Sequence, residues 1–436
     1  MDRNSLQYKT YNQILKEELV PAMGCTEPIA LAYGAAKARE VIGGMPDRVE
    51  VGASFNIIKN VKSVVVPNTG GLKGIEAAVA AGIVAGDASR MLEVISEVSE
   101  TQKASIREFL QETPITVTAL ENGPIFDISI VLSRGVDEVR LRIAEYHTNI
   151  VLIEKNQEQL FALLADNDSA NRNHNQKAHE IGLADKSLLN LKDILDFAET
   201  VDIGDVKATI ERQIEYNMAI AEEGLCNDYG ANIGSTWLNS YGNDIRNRAI
   251  AKAAAGSDAR MSGCELPVII NSGSGNQGMT ISIPIIEYAR GLKQSEDKLY
   301  RALVLANLIS IHEKTGIGRL SAYCGAVSAG SAAACGIAFL LGGGLEEIAH
   351  TLVNSVAISS GIICDGAKPS CAGKIATSVM VGLLGYDMFK NGQQQLRAGE
   401  GIVGNNVEAT IRNVGRLGKD GMRETDREIV KIMIGE

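Results

Sequence analysis

Aromatic residues are scarce, at 4% of a 436-residue chain that has one Trp and 45 glycines. A core without large rings must be packed from Ala, Val, Ile, Leu and Gly, with backbones drawn close together. Apolar residues still make up 45%, enough for a full core, and the length suits two domains or one large domain with a smaller one attached. An excess of positive charge is also missing. The 42 Lys and Arg face 53 Asp and Glu, a net charge of -11, which speaks against a nucleic-acid partner because such a partner needs a basic footprint. No apolar leader is present: MDRNSLQYKTYNQILKEELV is polar, does not read as a signal peptide, and predicts a cytoplasmic protein. Residues 321–344, SAYCGAVSAGSAAACGIAFLLGGG, carry no charge and approach the length of a spanning helix. They are mostly Ala, Gly and Ser, with no Lys/Arg-flanked spans around them, so a tightly packed buried helix and no membrane partner are expected. There is no internal repeat, no P-loop and no dinucleotide fingerprint.

What is present is patterned. Residues 4–20 read as an amphipathic helix with Tyr11, Ile14, Leu15 and Leu19 on one face, broken at PAMGCTEP by Pro21, Gly24 and Pro28. A helix over 29–41 follows. Residues 48–66 alternate as strands in VEVGASFNI and SVVV, then turn at 67–71 into an Ala-rich helix from Ile75. Runs at 115–120, 126–133 and 138–147, joined through Asn122-Gly123-Pro124 and Arg134-Gly135, predict an antiparallel meander, with 148–154 as a fourth strand. Residues 166–180, DNDSANRNHNQKAHE, read as a linker. Beyond it the pattern is helical, over 187–199, 205–222, 243–255, 294–313, 326–340, 345–359 and 372–391. The expected architecture is an α+β N-terminal domain, residues 1–165, with a small antiparallel sheet and the GCTEP motif. An all-α C-terminal domain, residues 185–436, follows it.

The chemistry-bearing residues collect at breaks between these elements. In NSGSGNQGM, residues 271–279, glycines alternate with Asn271, Ser272, Ser274, Asn276 and Gln277. Such a loop offers free backbone N–H groups and short polar donors to a carboxylate or phosphate, and its composition equally suits a flexible turn. RLSAYCGAVSAGSAAACG places Cys324 at a Gly-bounded junction and Cys335 inside the following helix, where it reads as a small core residue. ICDGAKPSCAGK adds Cys364 and Cys371, with Gly366, Pro369 and Gly373 to bend the segment and Asp365, Lys368 and Lys374 beside them. Seven cysteines in a long cytosolic chain are poor disulfide candidates. The C-x6-C spacing does not suit a structural zinc site. Three soft thiolates that leave one position vacant suit a cubane iron–sulfur cluster, although inert burial is the commoner use of such cysteines. Cys25 in AMGCTEPIA stands at a helix start, where the dipole would depress its pKa. Thr26 as the N-cap residue and Glu27 lie beside it, so a helix cap and a reactive thiolate both fit. His312 reads as structural, and Cys226 and Cys264 lie outside these junctions.

In this order, GCTEP, NSGSGNQG, SAYCGAVSAG and CDGAKPSC resemble the L-cysteine desulfidase family, itself similar to the iron–sulfur L-serine dehydratases. The resemblance runs along nearly the whole chain. It implies a 4Fe–4S cluster held by three cysteines with one iron free for substrate, and conversion of L-cysteine to pyruvate, ammonia and hydrogen sulfide. Cys324, Cys364 and Cys371 fall where the dehydratases carry their cluster cysteines, with a shorter gap between the last two. Cys25 stands where those enzymes have a catalytic His in a Ser-His-Thr stretch, which implies that Cys25 is the base, or else touches the cluster. The Gly/Asn loop falls where they hold the substrate carboxylate, implying that role for Asn271, Ser272, Ser274, Asn276 and Gln277, with charge added by Lys368 or Lys374. A pyridoxal mechanism would use one of these Lys as a Schiff base, but no phosphate-binding loop accompanies them. The nearest alternative is the same elimination on L-serine. A non-catalytic iron–sulfur sensor would carry a basic or partner-binding module, which this acidic chain lacks, and a metal-free structural protein is a further alternative. The expected partner is a small amino-acid substrate, with homo-oligomerisation left open.

Overall fold

The computed structural model describes residues 1–120, 123–163, 183–392 and 396–435; the linker expected over 166–180 lies outside the described residues. Ser5 opens α1 (Leu6–Glu18) by accepting from the Tyr8 amide at 3.2 Å, and Tyr11, Ile14 and Leu15 form its buried face. Pro21 then forces extension. β1 (Pro21–Ala22) leads into α2 (Thr26–Ile42), which stops at Gly43 in the left-handed region, φ 83°.

The remaining N-terminal elements are β2 (Arg48–Ser54), α3 (Phe55–Val61), α4 (Gly74–Ala85), α5 (Glu100–Glu112), β3 (Ile115–Leu120), β4 (Asp127–Arg134), β5 (Asp137–Ala144), β6 (Ile150–Lys155) and β7 (Glu158–Ala162). The strands form one six-stranded sheet in the order β3-β2-β4-β5-β6-β7. Two expectations are corrected. β3 and β4 are not hairpin neighbours: β2 lies between them, antiparallel to β4 and parallel to β3. The parallel pairing is possible because α3, α4 and α5 make the long crossover that parallel strands require. The second correction is the apolar run to Val66, which is not strand throughout. Ser54 caps α3, accepting from the Ile57 amide, and Val65 keeps a single bridge to Lys73. The β4–β5 hairpin turns at Gly135, φ 57°, with Arg134 opposite Asp137, as its turn signal predicted.

The C-terminal part comprises α6 (Leu191–Thr200), α7 (Ile203–Cys226), α8 (Ile233–Tyr241), α9 (Ile245–Met261), β8 (Val268–Ile269), α10 (Gly275–Gly291), α11 (Glu296–Ile317), α12 (Gly325–Leu340), α13 (Leu345–Ser359), α14 (Cys371–Lys390), α15 (Val407–Arg416) and α16 (Arg423–Ile434). It is helical apart from β8, which pairs antiparallel with β1, Pro21 opposite Ile269. This two-stranded link brings the GCTEP segment beside the Gly/Asn loop. α9 and α11 run past their expected ends at 255 and 313, and so carry Arg260 and Lys314 on buried helix. α12 is buried along its length, and among the described residues no helix is long and apolar enough to cross a membrane. α12 and α14 touch through glycine: a Cβ at Gly382 would lie 2.5 Å from the Gly330 carbonyl oxygen. This is how a core poor in aromatics reaches close packing.

The chain end returns to the N-terminal part, with α16 on α3. Lys59 of α3 pairs with Asp426 of α16, and Asp426 also accepts from the Ala322 amide at 3.1 Å. The segment before Cys324 is thus fixed from both ends of the sequence.

Candidate active site

Four helix beginnings supply the site. Cys25, and not Thr26 as expected, is the N-cap residue of α2. Its thiol makes no cap bond and donates to Glu27 Oε2 at 3.3 Å. The Thr26 hydroxyl donates instead to the Gly273 carbonyl at 2.8 Å, tying GCTEP to the Gly/Asn loop. In that loop Asn271 and Ser274 exchange backbone bonds at 3.0 and 3.1 Å. The turn between them needs positive φ at Ser272 (51°) and Gly273 (82°). Ser274 then caps α10.

Cys324 caps α12 and Cys371 opens α14. Cys364 comes from the segment between α13 and α14. A short antiparallel bridge between Tyr323 and Ile363 clamps it beside Cys324. The Cys324 amide donates to the Ile362 carbonyl at 3.2 Å and the Cys364 amide to Ala322 at 2.6 Å. At Gly366, φ 100°, a Cβ would stand 2.5 Å from the Lys59 carbonyl oxygen, so only glycine lets the segment bend there.

These pieces enclose a cavity of about 100 Å³ lined by all three of these cysteines and by Cys25, together with Ser274, Asn276 and Gln277. The expected metal, catalytic and loop residues are therefore brought together. Asn271 and Ser272 do not line it. Asn271 is fully buried behind the loop, donating to Asn307 Oδ1 at 3.0 Å, and Ser272 donates to Asn271. Lys368 is outside the wall too; it and Lys374 both pair with Asp365. His312 bonds Glu408 of α15 at 2.7 Å, a structural tie. Cys335 is buried with its thiol on the Ile348 carbonyl.

Sequence reasoning missed Arg260, Lys314, Arg319 and Asn60, which also line the cavity. A faint signal existed for Lys314: it falls on the apolar face of α11, three residues from both Ile311 and Ile317. Arg260 carries none, because its place depends on close approach to Gly275, where a Cβ would meet its Nε at 2.5 Å.

Electrostatics correct one expectation. Burial, then the Glu27 carboxylate, pushes the Cys25 thiol well above its ordinary pKa, outweighing any helix-dipole effect. Cys25 rests as a thiol donor to Glu27. Burial and the neighbouring Cys364 push Cys324 up to about 12, and the same causes raise Cys371. Thiols raised this way, Cys324 and Cys371, become thiolates only beside a cationic centre. Among the described residues, no three His, Cys, Asp or Glu side chains are placed to hold a single metal ion. A cluster differs, since each cysteine binds its own iron, and an all-sulfur donor set from Cys324 and Cys371 at helix starts and Cys364 in the segment between two helices fits that chemistry. Burial lowers Lys314 to about 8.

Known proteins resemble this chain at family level. A family model described as serine dehydratase alpha chain matches residues 89–431, which contain the loop and the three cavity cysteines but not Cys25. A UPF0597 protein of Desulfitobacterium hafniense is 59% identical over 436 residues, covering 100% of this chain and 99% of that protein. A UPF0597 protein of Lachnoclostridium phytofermentans is 49% identical over 428 residues, 98% of this chain and 100% of its own. One of Treponema denticola is 44% identical over the full length of both.

Proposed function

The chain belongs to the serine dehydratase alpha chain family, and on that premise we propose that it is a lyase. It eliminates hydrogen sulfide from L-cysteine, giving pyruvate and ammonia after hydrolysis. The observation that carries this reading is the single cavity shared by Cys324, Cys364 and Cys371 with Cys25 and the Ser274–Gln277 turn. Cys324, Cys364 and Cys371 would hold a 4Fe–4S cluster, which supplies an iron without a protein ligand as a Lewis acid for the substrate's β-sulfur.

The chain's own residues bind, orient and move the proton. Ser274 and Asn276 face the cavity from the start of α10, where backbone N–H groups and the helix dipole favour an anion. Cys25 is the proposed base for the α-proton. Because it rests as a thiol, it works as a pair with Glu27, whose carboxylate accepts the thiol proton and leaves the thiolate to take the one on Cα. Cavity walls built largely from buried residues limit access of bulk water to the pair. Loss of the α-proton and of the β-thiol leaves aminoacrylate, which tautomerises and hydrolyses in water. Elimination of water from L-serine is the second reading, favoured by the family description alone.

The test is an anaerobic assay of the iron- and sulfide-reconstituted protein with each amino acid, measuring pyruvate and sulfide together. Equimolar pyruvate and sulfide from L-cysteine, in excess of pyruvate from L-serine, is expected. Faster turnover of serine overturns the substrate, and no pyruvate from either overturns the lyase.

A further inference from the structure

We propose that Arg260 and Lys314 grip the carboxylate of an α-amino acid while Gln277 and Asn60 receive its ammonium group, which fixes the ligand class as a zwitterionic monocarboxylate. The proposal rests on the lyase reading for what happens next, but not for the binding itself.

Among the described residues four Lys or Arg side chains are buried: Lys59, Lys186, Arg260 and Lys314. Lys59 pairs with Asp426 and Lys186 with Glu18. Neither Arg260 nor Lys314 has an ion pair among the described residues, and these two line the active-site cavity. Lys314 makes no hydrogen bond there. Arg260 makes one, from Nη1 to Asn276 Oδ1 at 3.1 Å, and its Nε is buried without a partner.

A buried charge without a counter-charge is costly, so its retention calls for an anion. The adjacent Glu313 does not supply one. Its carboxyl group lies 2.9 Å from the Ser331 hydroxyl, makes no ion pair with Lys314 among the described residues, and burial raises its pKa well above the ordinary carboxylate range. Among the described residues Glu27 is the one carboxylate on the cavity wall. It is engaged by the Cys25 thiol at 3.3 Å and the Asn60 amide at 3.0 Å.

The same wall holds two unpaired acceptors. Gln277 Oε1 and Asn60 Oδ1 are both buried with no donor among the described residues. Two unpaired cations and two unpaired carbonyl oxygens in one cavity are the complement of a carboxylate and an ammonium group, and Glu27 beside Asn60 adds negative charge on the ammonium side. The rival explanation is that Arg260 and Lys314 only balance the cluster thiolates.

Lys314→Met, Arg260→Met and the conservative Arg260→Lys separate the two. Each is made in the full chain, reconstituted anaerobically and measured for iron content and absorption spectrum. L-alanine, which has the same head group and nothing to eliminate, is titrated by calorimetry, and cysteamine, which lacks the carboxylate, beside it. The Met variants are expected to keep iron and spectrum, to weaken L-alanine by about 30-fold or more, and to leave cysteamine nearly unchanged, with Arg260→Lys intermediate. Loss of iron with unchanged L-alanine affinity assigns the cations to the thiolates and overturns the proposal, as does equal loss of both ligands. Independently of any variant, the unsubstituted protein should bind L-alaninamide, which has no carboxylate charge, at least about 30-fold more weakly than L-alanine. Equal binding overturns the proposal even if the variants do not fold. L-alanine binding with this dependence, in a protein that eliminates neither cysteine nor serine, supports the pocket and removes the lyase reading.

Discussion

Arg319 lies in a wall shared by two regions whose buried charges follow opposite rules. On one side, Glu18 receives both ends of the Arg319 guanidinium, at 2.8 and 2.9 Å, and Lys186 as well. Arg319 also stacks over Tyr146, 4.5 Å from the ring centroid. These partners hold Glu18 down to about 2 in spite of its complete burial. On the other side, Arg260 and Lys314 face the cysteine-lined cavity with no carboxylate of their own. The first group ties α1 to the end of α11 and to the residues beyond it; it is scaffold, because every charge is spent within the chain. The second leaves charge and acceptors unspent, which is what a binding site must do. Burial by itself does not mark function here. Burial without a partner does.

The largest expected effect breaks the site and spares the scaffold. Cys324→Ala, Cys364→Ala and Cys371→Ala should each abolish iron binding and turnover while thermal unfolding stays near that of the iron-free parent. Cys335→Ala, in the core of α12, should keep both iron and activity. Iron near the parental level in any of the first three removes that residue from the ligand set.

Cys25→Ser sharpens the contrast within the cavity. The hydroxyl is a far weaker proton acceptor than a thiolate, so turnover should fall by about 10²–10⁴ with iron content and spectrum retained. A changed spectrum would make Cys25 a ligand. A near-parental rate would leave it as a helix cap, since Ser caps well.

Glu18→Gln turns the paired region into an unpaired one. With two cations left facing a neutral amide, the loss should be about 3–5 kcal/mol, read as a lower denaturant midpoint. Lys314→Met in the iron-free chain should not destabilise it, because it removes a charge that nothing in the chain compensates. Equal destabilisation by the two would erase the distinction between the regions.

His147, which lines a separate pocket with Glu18, Tyr146 and Arg319, gives a smaller and pH-dependent effect. Its ring packs edge-on against Phe126, Nε2 has no partner, and burial lowers its pKa to about 4. The folded chain needs the neutral ring, while the unfolded chain takes up a proton near pH 6.5. Stability from this group is therefore complete above about pH 6.5 and declines as the pH falls towards 4. The total is up to about 3 kcal/mol. His147→Phe should flatten the stability profile in that window and leave the steeper loss below pH 4, where Glu18 protonates. An unchanged profile between pH 6.5 and 4 would show that His147 is not the titrating group.

Much of the fold was legible because its signals are local. The amphipathic face of α1, the break at Pro21, the hairpin turn at Gly135 and the small-residue run of α12 act within a few residues of themselves. The parallel pairing of β3 with β2 was not legible, since it depends on a three-helix crossover that places residue 115 beside residue 49. Ser54 illustrates the ambiguity of short apolar runs: one cap bond converts VEVGASFNI from strand to helix at Phe55.

The site divides in the same way. Its covalent raw material, the cysteines at Gly-bounded junctions and the Gly/Asn loop, was determined by the sequence, because Cys25, Cys324, Cys371 and Ser274 sit at helix starts that their own neighbours specify, and Cys364 in a segment bent by its own Gly and Pro. Which of them share a cavity was decided by tertiary structure. The β1–β8 pairing, the Tyr323–Ile363 bridge and the Gly330–Gly382 contact join positions separated by tens to hundreds of residues. Tertiary structure also turned Arg260 and Lys314 inward, whereas Lys368 meets Asp365 only three residues away. The charge of a side chain is written in the sequence, but whether it meets a partner depends on distance and burial, and those exist only after folding.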